Sequence, residues 1–302
     1  MRILPLLALM LLSPTQEQDD PDFQTRSLMG KELRTPPISD QARQRLEANL
    51  RKAEERLKIN PRHHGNLIWL GRRTAYLSRY RQAAEIYSRA LELYPQSAHL
   101  LRHRGHRSIS LRRFADAAAD LRRAADLTRG QRDEIEPDGA PNALNIPTST
   151  LQTNIWYHLG LAHYLQGDFE EALSAYRECL KRSKNDDMLA ATSHWLYMTL
   201  RRLDRSEEAG KVLQRIHPDM RIIENTAYFD LLLMYQGLKN AEALWSPGAL
   251  EDLQSATVGY GVANWHLCNG RPDQARSIFE QIVKQPGWAS FGYIASEAEL
   301  AR

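Results

Sequence analysis

Residues with very small side chains recur at a fixed interval along this chain of 302 residues. The same interval, a period of 34, separates Gly71 from Gly105, Ala83 from Ala117 and Ala90 from Ala124. A fixed period of roughly 20 to 50 residues is typical of a repeat array, in which one unit alone cannot bury its apolar face. The chain is therefore predicted to fold by stacking similar units on one another.

The unit is clearest between Trp156 and Tyr176. Apolar and small residues recur there three and four positions apart on both sides of Gly167-Asp168, which predicts a helix, a tight turn and a second helix. Gly160 lies within the first helix, where glycine costs about 1 kcal/mol relative to alanine. We expect a neighbouring helix to approach closely at Gly160, and this packing to offset the cost.

The unit continues along the chain, but its spacing varies. The interval from Gly105 to Gly160 exceeds one period by 21, and the extra residues fall within 128–152. This stretch is rich in Gly, Pro, Asn and Asp, which predicts a loop inserted between two repeats. The interval from Ala209 to Ala275 is two periods less two. Helical units therefore continue beyond the insertion.

The pattern resembles the tetratricopeptide repeat family. The resemblance rests on the period of 34 and on Trp156, Leu159-Gly160, Ala172 and Tyr176. It covers residues 64–287. It implies an all-α fold, namely a right-handed superhelical solenoid of about six helix-turn-helix pairs with capping helices. It also implies an extended concave groove lined by the first helix of each pair, and a role in binding other proteins.

The pattern divides the chain into segments with different expected roles. These are a signal peptide (1–15), a linker (16–38), and a solenoid (39–302) made of an N-terminal capping helix (39–61), repeats one and two (64–127), an insertion loop (128–152), further repeats (153–287) and a C-terminal capping helix (288–302). The linker contains Pro, Gly and Asp with little apolar periodicity, so we expect it to be mobile.

The first residues resemble an export signal. Arg2 is followed by an uninterrupted apolar run, residues 3–12, and then by polar residues. The run is shorter than the ~20 residues of a transmembrane helix, so no membrane span is expected. The protein is predicted to be periplasmic or secreted if this signal is used, and cytoplasmic otherwise.

Net charge and cysteine content restrict the possible function classes. Lys and Arg number 40 against 37 Asp and Glu, a formal charge of +3, which gives no basis for global attraction to nucleic acid or membrane. Cys179 and Cys268 are the only cysteines and form no CxxC motif, so we expect two free thiols. No cofactor is expected.

One stripe on each first helix is predicted to line the concave groove. The stripe residues are aromatic or basic: Trp69, Arg72, Tyr76, His99, Arg102, His103, His106, Tyr157, His158, Tyr164, His194, Trp195 and Arg201. Arg binds carboxylates bidentately, and Tyr and Trp supply rigid contact area. The stripe therefore predicts binding of an acidic and apolar segment of a protein partner. The alternative is that these side chains only pack against one another.

The insertion carries an acidic, partly apolar segment made of Asp133, Glu134, Ile135, Glu136 and Asp138. A connection of ~25 residues without secondary structure is uncommon in a compact fold and often functional. Because its charge complements the basic stripe, we expect this segment to fold over the groove as a lid or autoinhibitor. The alternative is a mobile surface loop.

Two other binding chemistries are possible. His99, His103 and His106 share one helix face, but flanking Arg residues would repel a cation and no HExxH motif is present, so no metal is expected. Repeat two is also rich in Arg. The alternative partner is therefore an anionic ligand other than a protein, such as single-stranded nucleic acid. Asp116 and Asp120 are expected to pair with Arg112, Arg113 or Arg123, which makes nucleic acid the less favoured interpretation.

Catalytic motifs are missing from the sequence. It contains no glycine-rich phosphate loop, no GxSxG and no paired carboxylates in a strand-turn context. The prediction is a protein-interaction scaffold without enzymatic activity.

Overall fold

The structure is a computed structural model that describes residues 20–245 and 253–302. Within these residues it contains two β-strands, β1 (Phe23–Arg26) and β2 (Glu32–Arg34). It also contains fourteen α-helices there: α1 (Asp40–Ile59), α2 (His64–Tyr76), α3 (Tyr80–Leu93), α4 (Ala98–Ser110), α5 (Phe114–Leu127), α6 (Leu151–Gln166), α7 (Phe169–Arg182), α8 (Asp186–Arg202), α9 (Ser206–Leu213), α10 (Thr226–Tyr235), α11 (Ala241–Leu244), α12 (Leu253–Cys268), α13 (Pro272–Ile282) and α14 (Phe291–Ala301).

The helices from α2 to α13 form six consecutive pairs, with α1 before them and α14 after them. Each pair packs on the next, so the apolar core is shared between neighbours. The fold is an all-α solenoid, which confirms the fold class predicted from the repeat period. We call the side formed by the first helices of the pairs (α2, α4, α6, α8, α10 and α12) the inner face.

The repeated small residues lie where helices make their closest contacts, as predicted. A Cβ atom added to Gly160 would lie 2.7 Å from Cε1 of Tyr176, and one added to Gly105 would lie 2.8 Å from Cγ of Leu121. Gly71 faces the ring of Tyr87 in the same way. Since atoms cannot approach this closely without displacement, glycine is required for the two helices of a pair to pack.

The segment predicted to be a mobile linker contains the β1–β2 hairpin, and the hairpin is docked on the solenoid. Thr25 Oγ1 donates a hydrogen bond to the Leu111 carbonyl at 3.0 Å, and the Trp288 indole donates to the Arg34 carbonyl at 2.7 Å. Strands of four and three residues are too short to show an alternating apolar pattern. The linker prediction is therefore wrong for residues 22–35.

The C-terminal helix α14 does more than cap the last pair. It packs on α12 and α13, and it also contacts α6 on the inner face. Arg302, directly after this helix, donates hydrogen bonds at 3.0 Å to the carbonyls of Tyr164 and Leu165 at the end of α6. The solenoid therefore curves far enough for its last helix to meet its third repeat.

A buried ion pair fixes this closure. Arg112, in the turn between α4 and α5, donates to Glu297 of α14 with an Nη2–Oε2 distance of 2.6 Å. The Glu297 side chain is 0% exposed and that of Arg112 is 3% exposed. Leu28 of the hairpin donates its N–H to Glu297, and Arg112 also donates to the Trp288 carbonyl at 2.8 Å. We call Leu28, Arg112, Trp288 and Glu297 the clasp.

The N-terminal region is only partly described. The predicted signal peptide, residues 1–15, lies outside the described residues. Among the helices within 20–245 and 253–302, none combines the length and the apolar character needed to span a membrane.

Candidate partner-binding face

Helix α2 presents an aromatic and cationic surface on the inner face. The Arg72 guanidinium lies 4.5 Å from the ring centroid of Trp69, and that of Arg73 lies 4.8 Å from the same centroid. Arg72 Nη2 also donates to the Tyr76 hydroxyl at 3.2 Å. The spacing of three and four residues places these side chains on one helix face, so that planar groups stack.

Residues 133–139, which we call the acidic segment, lie across this surface. Arg72 Nη1 donates to the Pro137 carbonyl at 2.5 Å, and Arg73 Nη1 donates to the Gly139 carbonyl at 3.0 Å. Gly139 packs so closely that an added Cβ would lie 3.0 Å from Cζ3 of Trp69. The segment therefore uses its backbone to bind α2.

The carboxylates of the acidic segment contact α4. Glu134 Oε1 lies 3.0 Å from Nε2 of His99, and the Glu136 carboxylate pairs with Arg102 at 3.0 Å between Oε2 and Nη2. Nε2 of His103 lies 3.4 Å from the other Glu136 oxygen. Three of the predicted groove residues therefore converge on two glutamates of the same chain.

Glu136 lies in a desolvated site. Its side chain is 6% exposed, and Asn154 of α6 donates to Oε2 at 2.6 Å. Arg102 Nη1 donates to Nδ1 of His103 at 2.8 Å, which leaves the His103 proton on Nε2, on the side that faces Glu136. Burial lowers the pKa of His103 well below its usual value, and the charge of Arg102 lowers it further, so this imidazole is neutral.

The acidic segment is also anchored where it begins. Asp133 accepts hydrogen bonds from the Thr150 hydroxyl at 2.6 Å and from the Gln152 N–H at 3.0 Å. The Leu151 N–H donates to the Glu134 carbonyl at 2.8 Å. By contrast, Ile135 is 61% exposed. The segment is held by its carboxylates and backbone rather than by apolar burial.

The predicted stripe residues of α6 and α8 do not line an open groove. They are packed inside the solenoid: Tyr157, His158, Tyr164, His194 and Trp195 are all buried. The Trp195 indole donates to the Tyr157 hydroxyl at 2.7 Å. A contacting partner could not reach these five side chains in this conformation.

Later helices cover this part of the stripe. Phe291 of α14 lies 5.7 Å from the His158 ring, and Tyr228 of α10 lies 4.8 Å from that of His194. Tyr260 of α12 donates to the Tyr164 hydroxyl at 2.8 Å. The sequence pattern identifies the face of a helix but not what folds back onto it.

Burial keeps the histidines on these helices neutral. It lowers the pKa of His158 to about 3 and that of His194 to about 3. His158 Nδ1 donates to the Asn154 carbonyl at 2.6 Å, which fixes its ring. His106, which is half-buried, packs against His158 at 4.2 Å and against Phe291 at 5.5 Å between ring centroids.

No metal cluster is visible around the histidine stripe. Within residues 20–245 and 253–302, no group of three His, Cys, Asp or Glu side chains is arranged to hold a metal ion. His99 and His103 face glutamates, while His106 faces aromatic rings.

Most arginines of repeat two have partners, but not the predicted ones. Asp120 forms a bidentate pair with Arg104, with both distances 2.7 Å, and Arg112 belongs to the clasp. Arg123 donates to the Pro95 carbonyl at 2.6 Å. The prediction that Asp120 pairs with Arg112, Arg113 or Arg123 is therefore wrong. Arg104 lies in α4 and Asp120 lies in α5, so this pair joins the two helices of repeat two. The predicted pairs instead joined residues close together in the sequence.

The last predicted groove residue, Arg201, lies at the C-terminal end of α8. It donates to the Tyr197 hydroxyl and to the Cys268 carbonyl, both at 2.9 Å. It is separated from the α2–α4 surface and is not brought together with it.

Comparison with known families now identifies the fold. A tetratricopeptide repeat profile matches residues 153–186, which span α6, α7 and the start of α8, and a second tetratricopeptide repeat profile matches residues 70–132. The chain therefore contains tetratricopeptide repeats in these two stretches. Tetratricopeptide repeats support a role as a protein-interaction scaffold, and the family is generally not catalytic.

Solved structures that match the chain in part include MamA and YrrB. MamA (residues 41 to the end) from Desulfovibrio magneticus RS-1 is 16% identical, covers 59% of this chain and 94% of its own, and has a TM-score of 0.44. YrrB, described as a tetratricopeptide repeat protein with an unusual peptide-binding site, is 14% identical, with coverages of 82% and 97% and a TM-score of 0.44. No curated protein sequence matches the chain significantly.

Arg73 and Phe291 are among the residues of this face that are absent from the predicted set. Arg73 follows Arg72 and lies four positions after Trp69, so the helical spacing could have identified it. Phe291 has no such signal, because its contact with His158 joins residues of distant repeats.

Proposed function

We propose that this protein is an interaction scaffold that binds an acidic segment of a protein partner on the inner face of α2, α4 and α6. In the proposed complex, the partner takes the position of residues 133–139, and the acidic segment acts as a lid. The scaffold class is supported by the repeat architecture. The choice of face and of partner chemistry is our inference from the contacts of the acidic segment.

The observation that carries the proposal is the site of Glu136. A carboxylate removed from water costs several kcal/mol unless it is paired and hydrogen-bonded. Here Arg102 supplies the opposite charge at 3.0 Å and Asn154 supplies a donor at 2.6 Å. The inner face thus already contains a built carboxylate site, and an acidic side chain from another protein would have the same chemistry.

The acidic segment is suited to be exchanged. Its contacts with the α2 arginines are made by two backbone carbonyls, and its apolar residue Ile135 is 61% exposed. A partner that buries an apolar side chain at the equivalent of Ile135 would gain contact area that the segment itself does not use. The acidic segment competes with the partner for the same site. The apparent affinity for the partner is therefore the intrinsic affinity multiplied by the fraction of molecules in which the segment has left the site.

The test uses a dye-labelled peptide of residues 131–141 and the full-length protein, with binding measured by fluorescence anisotropy. Glu136→Gln weakens the internal segment, so this variant should bind the peptide about tenfold more tightly than the unmodified protein. Adding Arg102→Gln should then weaken binding by about tenfold or more, because the peptide carboxylate loses its partner.

The matched control is Arg113→Gln in the same Glu136→Gln background. Arg113 is an exposed residue of the same repeat with no carboxylate partner among the described residues. The change removes the same charge, so affinity should stay nearly the same. Equal binding by the Arg102 and Arg113 variants, with both folded by circular dichroism, would contradict the proposal.

A further inference from the structure

A small basic pocket lies beyond the end of the acidic segment, between α1 and α2. It has a volume of about 270 Å³ and is lined mainly by Asn49, Lys52, Arg56, Asn66, Trp69 and Arg73. Its lining, within the described part of the chain, contains no carboxylate. Its size suits a single anionic group rather than a whole small-molecule ligand.

The charges of the pocket are not neutralised by other side chains of residues 20–245 and 253–302. Lys52 and Arg56 are exposed, and neither forms an ion pair with a carboxylate of these residues. The Arg73 guanidinium stacks on Trp69 and donates to a carbonyl, that of Gly139. Asn66 Nδ2 donates to the Arg56 carbonyl at 3.0 Å, which holds the two helices at a fixed separation. Three cations and two amides around one cavity favour an anion.

The acidic segment points toward this pocket and then turns away. From its start to its end, it contacts His99, Arg102, Arg72 and finally Arg73, which also lines the pocket. The Asp138 carboxylate then accepts the N–H of Ala140 in a turn, and Asn142 donates to Glu224 at 2.6 Å on another part of the molecule. The described part of the chain therefore places no acidic side chain in the pocket.

We propose that the pocket is a second anion subsite for the partner segment. It would take a carboxylate or phosphate carried shortly after the position equivalent to Gly139. This inference rests on the proposed function, because it assumes that the partner follows the path of residues 133–139. The partner is then a peptide with two separated acidic positions, one at the Glu136 site and one at the basic pocket.

The test compares three synthetic peptides and one control peptide on the full-length Glu136→Gln protein. Each contains residues 131–139 and ends in Glu-Glu, in phosphoserine-Glu or in Gln-Gln. Either acidic extension should bind about three- to tenfold more tightly than the Gln-Gln peptide, and the gain should shrink as salt is raised. A fourth peptide, with Glu-Glu at its N-terminal end, should show no such gain.

Variants of α1 locate the effect. Lys52→Ala with Arg56→Ala should abolish the gain, whereas Arg51→Ala with Lys58→Ala removes the same charge from outside the pocket and should preserve it. If all peptides bind equally and Arg102→Gln still weakens them, only the second subsite is wrong. If no peptide binds, the proposed function is wrong and the subsite inference falls with it.

Discussion

At Gly160 the helices α6 and α7 pack closely because glycine has no side chain. The Tyr176 ring occupies the space that a Cβ would need, and Tyr176 is fully buried, so it cannot move aside. Gly160 was predictable as a packing residue because helix propensity alone disfavours glycine within a helix. Its partner was predictable as well, because both residues belong to the same repeat.

Gly160→Ala should lower the free energy of unfolding by about 1–3 kcal/mol, since overpacking outweighs the gain in helix propensity. The measurement is urea denaturation followed by circular dichroism. Gly210→Ala is the matched control: Gly210 lies in α9, and an added Cβ would meet no atom within 4 Å. That variant should gain up to about 1 kcal/mol. A stabilised Gly160→Ala would show that the helices can separate freely at this contact.

At the scale of elements, three successive first helices each bury one neutral imidazole. These are His103 of α4, His158 of α6 and His194 of α8. The sequence indicated their helix face, but it suggested contact with a partner. They are buried because later elements, namely the acidic segment, α14 and α10, cover that face.

Stability should therefore fall as the pH is lowered below about 6.5. Burial lowers the pKa of these histidines in the folded protein. At a pH between this lowered pKa and the pKa in the unfolded chain, the unfolded chain binds more protons than the folded protein, so lowering the pH favours unfolding. The free energy of unfolding therefore keeps its full value above the pKa of the unfolded chain. Below that pKa it falls by about 1.4 kcal/mol per histidine for each pH unit.

Urea denaturation at pH 7.5 and at pH 5.5 measures this loss. His158→Gln should make the difference between the two values smaller, because one buried titrating group is removed. His217→Gln should leave it unchanged, because His217 is exposed. An identical pH dependence in the unmodified protein and the His158 variant would contradict the assignment.

At the scale of the whole molecule, the clasp connects the C-terminal helix α14 to the second helix pair and to the β1–β2 hairpin. Arg112 and Glu297 are 185 residues apart, and Trp288 and Arg34 are 254 apart. Arg112 has a φ of 62°, a left-handed conformation that is uncommon for a residue other than glycine. This turn geometry accompanies the contact of its guanidinium with α14.

Glu297→Gln should destabilise the protein by about 3 kcal/mol or more, because Arg112 would remain buried without its counter-charge. Arg112→Gln should cost a similar amount, and the double variant should cost less than the sum of the two. Urea denaturation measures the free energy of unfolding of each variant. If the contact between α14 and Arg112 opens, the radius of gyration from X-ray scattering should increase.

The control for the clasp is an exposed ion pair. Glu280→Gln breaks the pair with Arg276 and should change stability by less than about 0.5 kcal/mol. Additive effects of the Arg112 and Glu297 changes would show that the two clasp residues are not coupled.

The sequence by itself determined the repeat: the helix pairs, the period at which they recur and the glycines at the closest contacts. These follow from local periodicity, because each repeat packs mainly on its neighbours. Tertiary structure alone decided which inner-face residues are accessible, where the β1–β2 hairpin docks, and that Glu136 reaches Arg102 while Glu297 reaches Arg112. The physical reason is that the curvature of a solenoid accumulates over many repeats. No single repeat specifies which distant segments it will bring into contact.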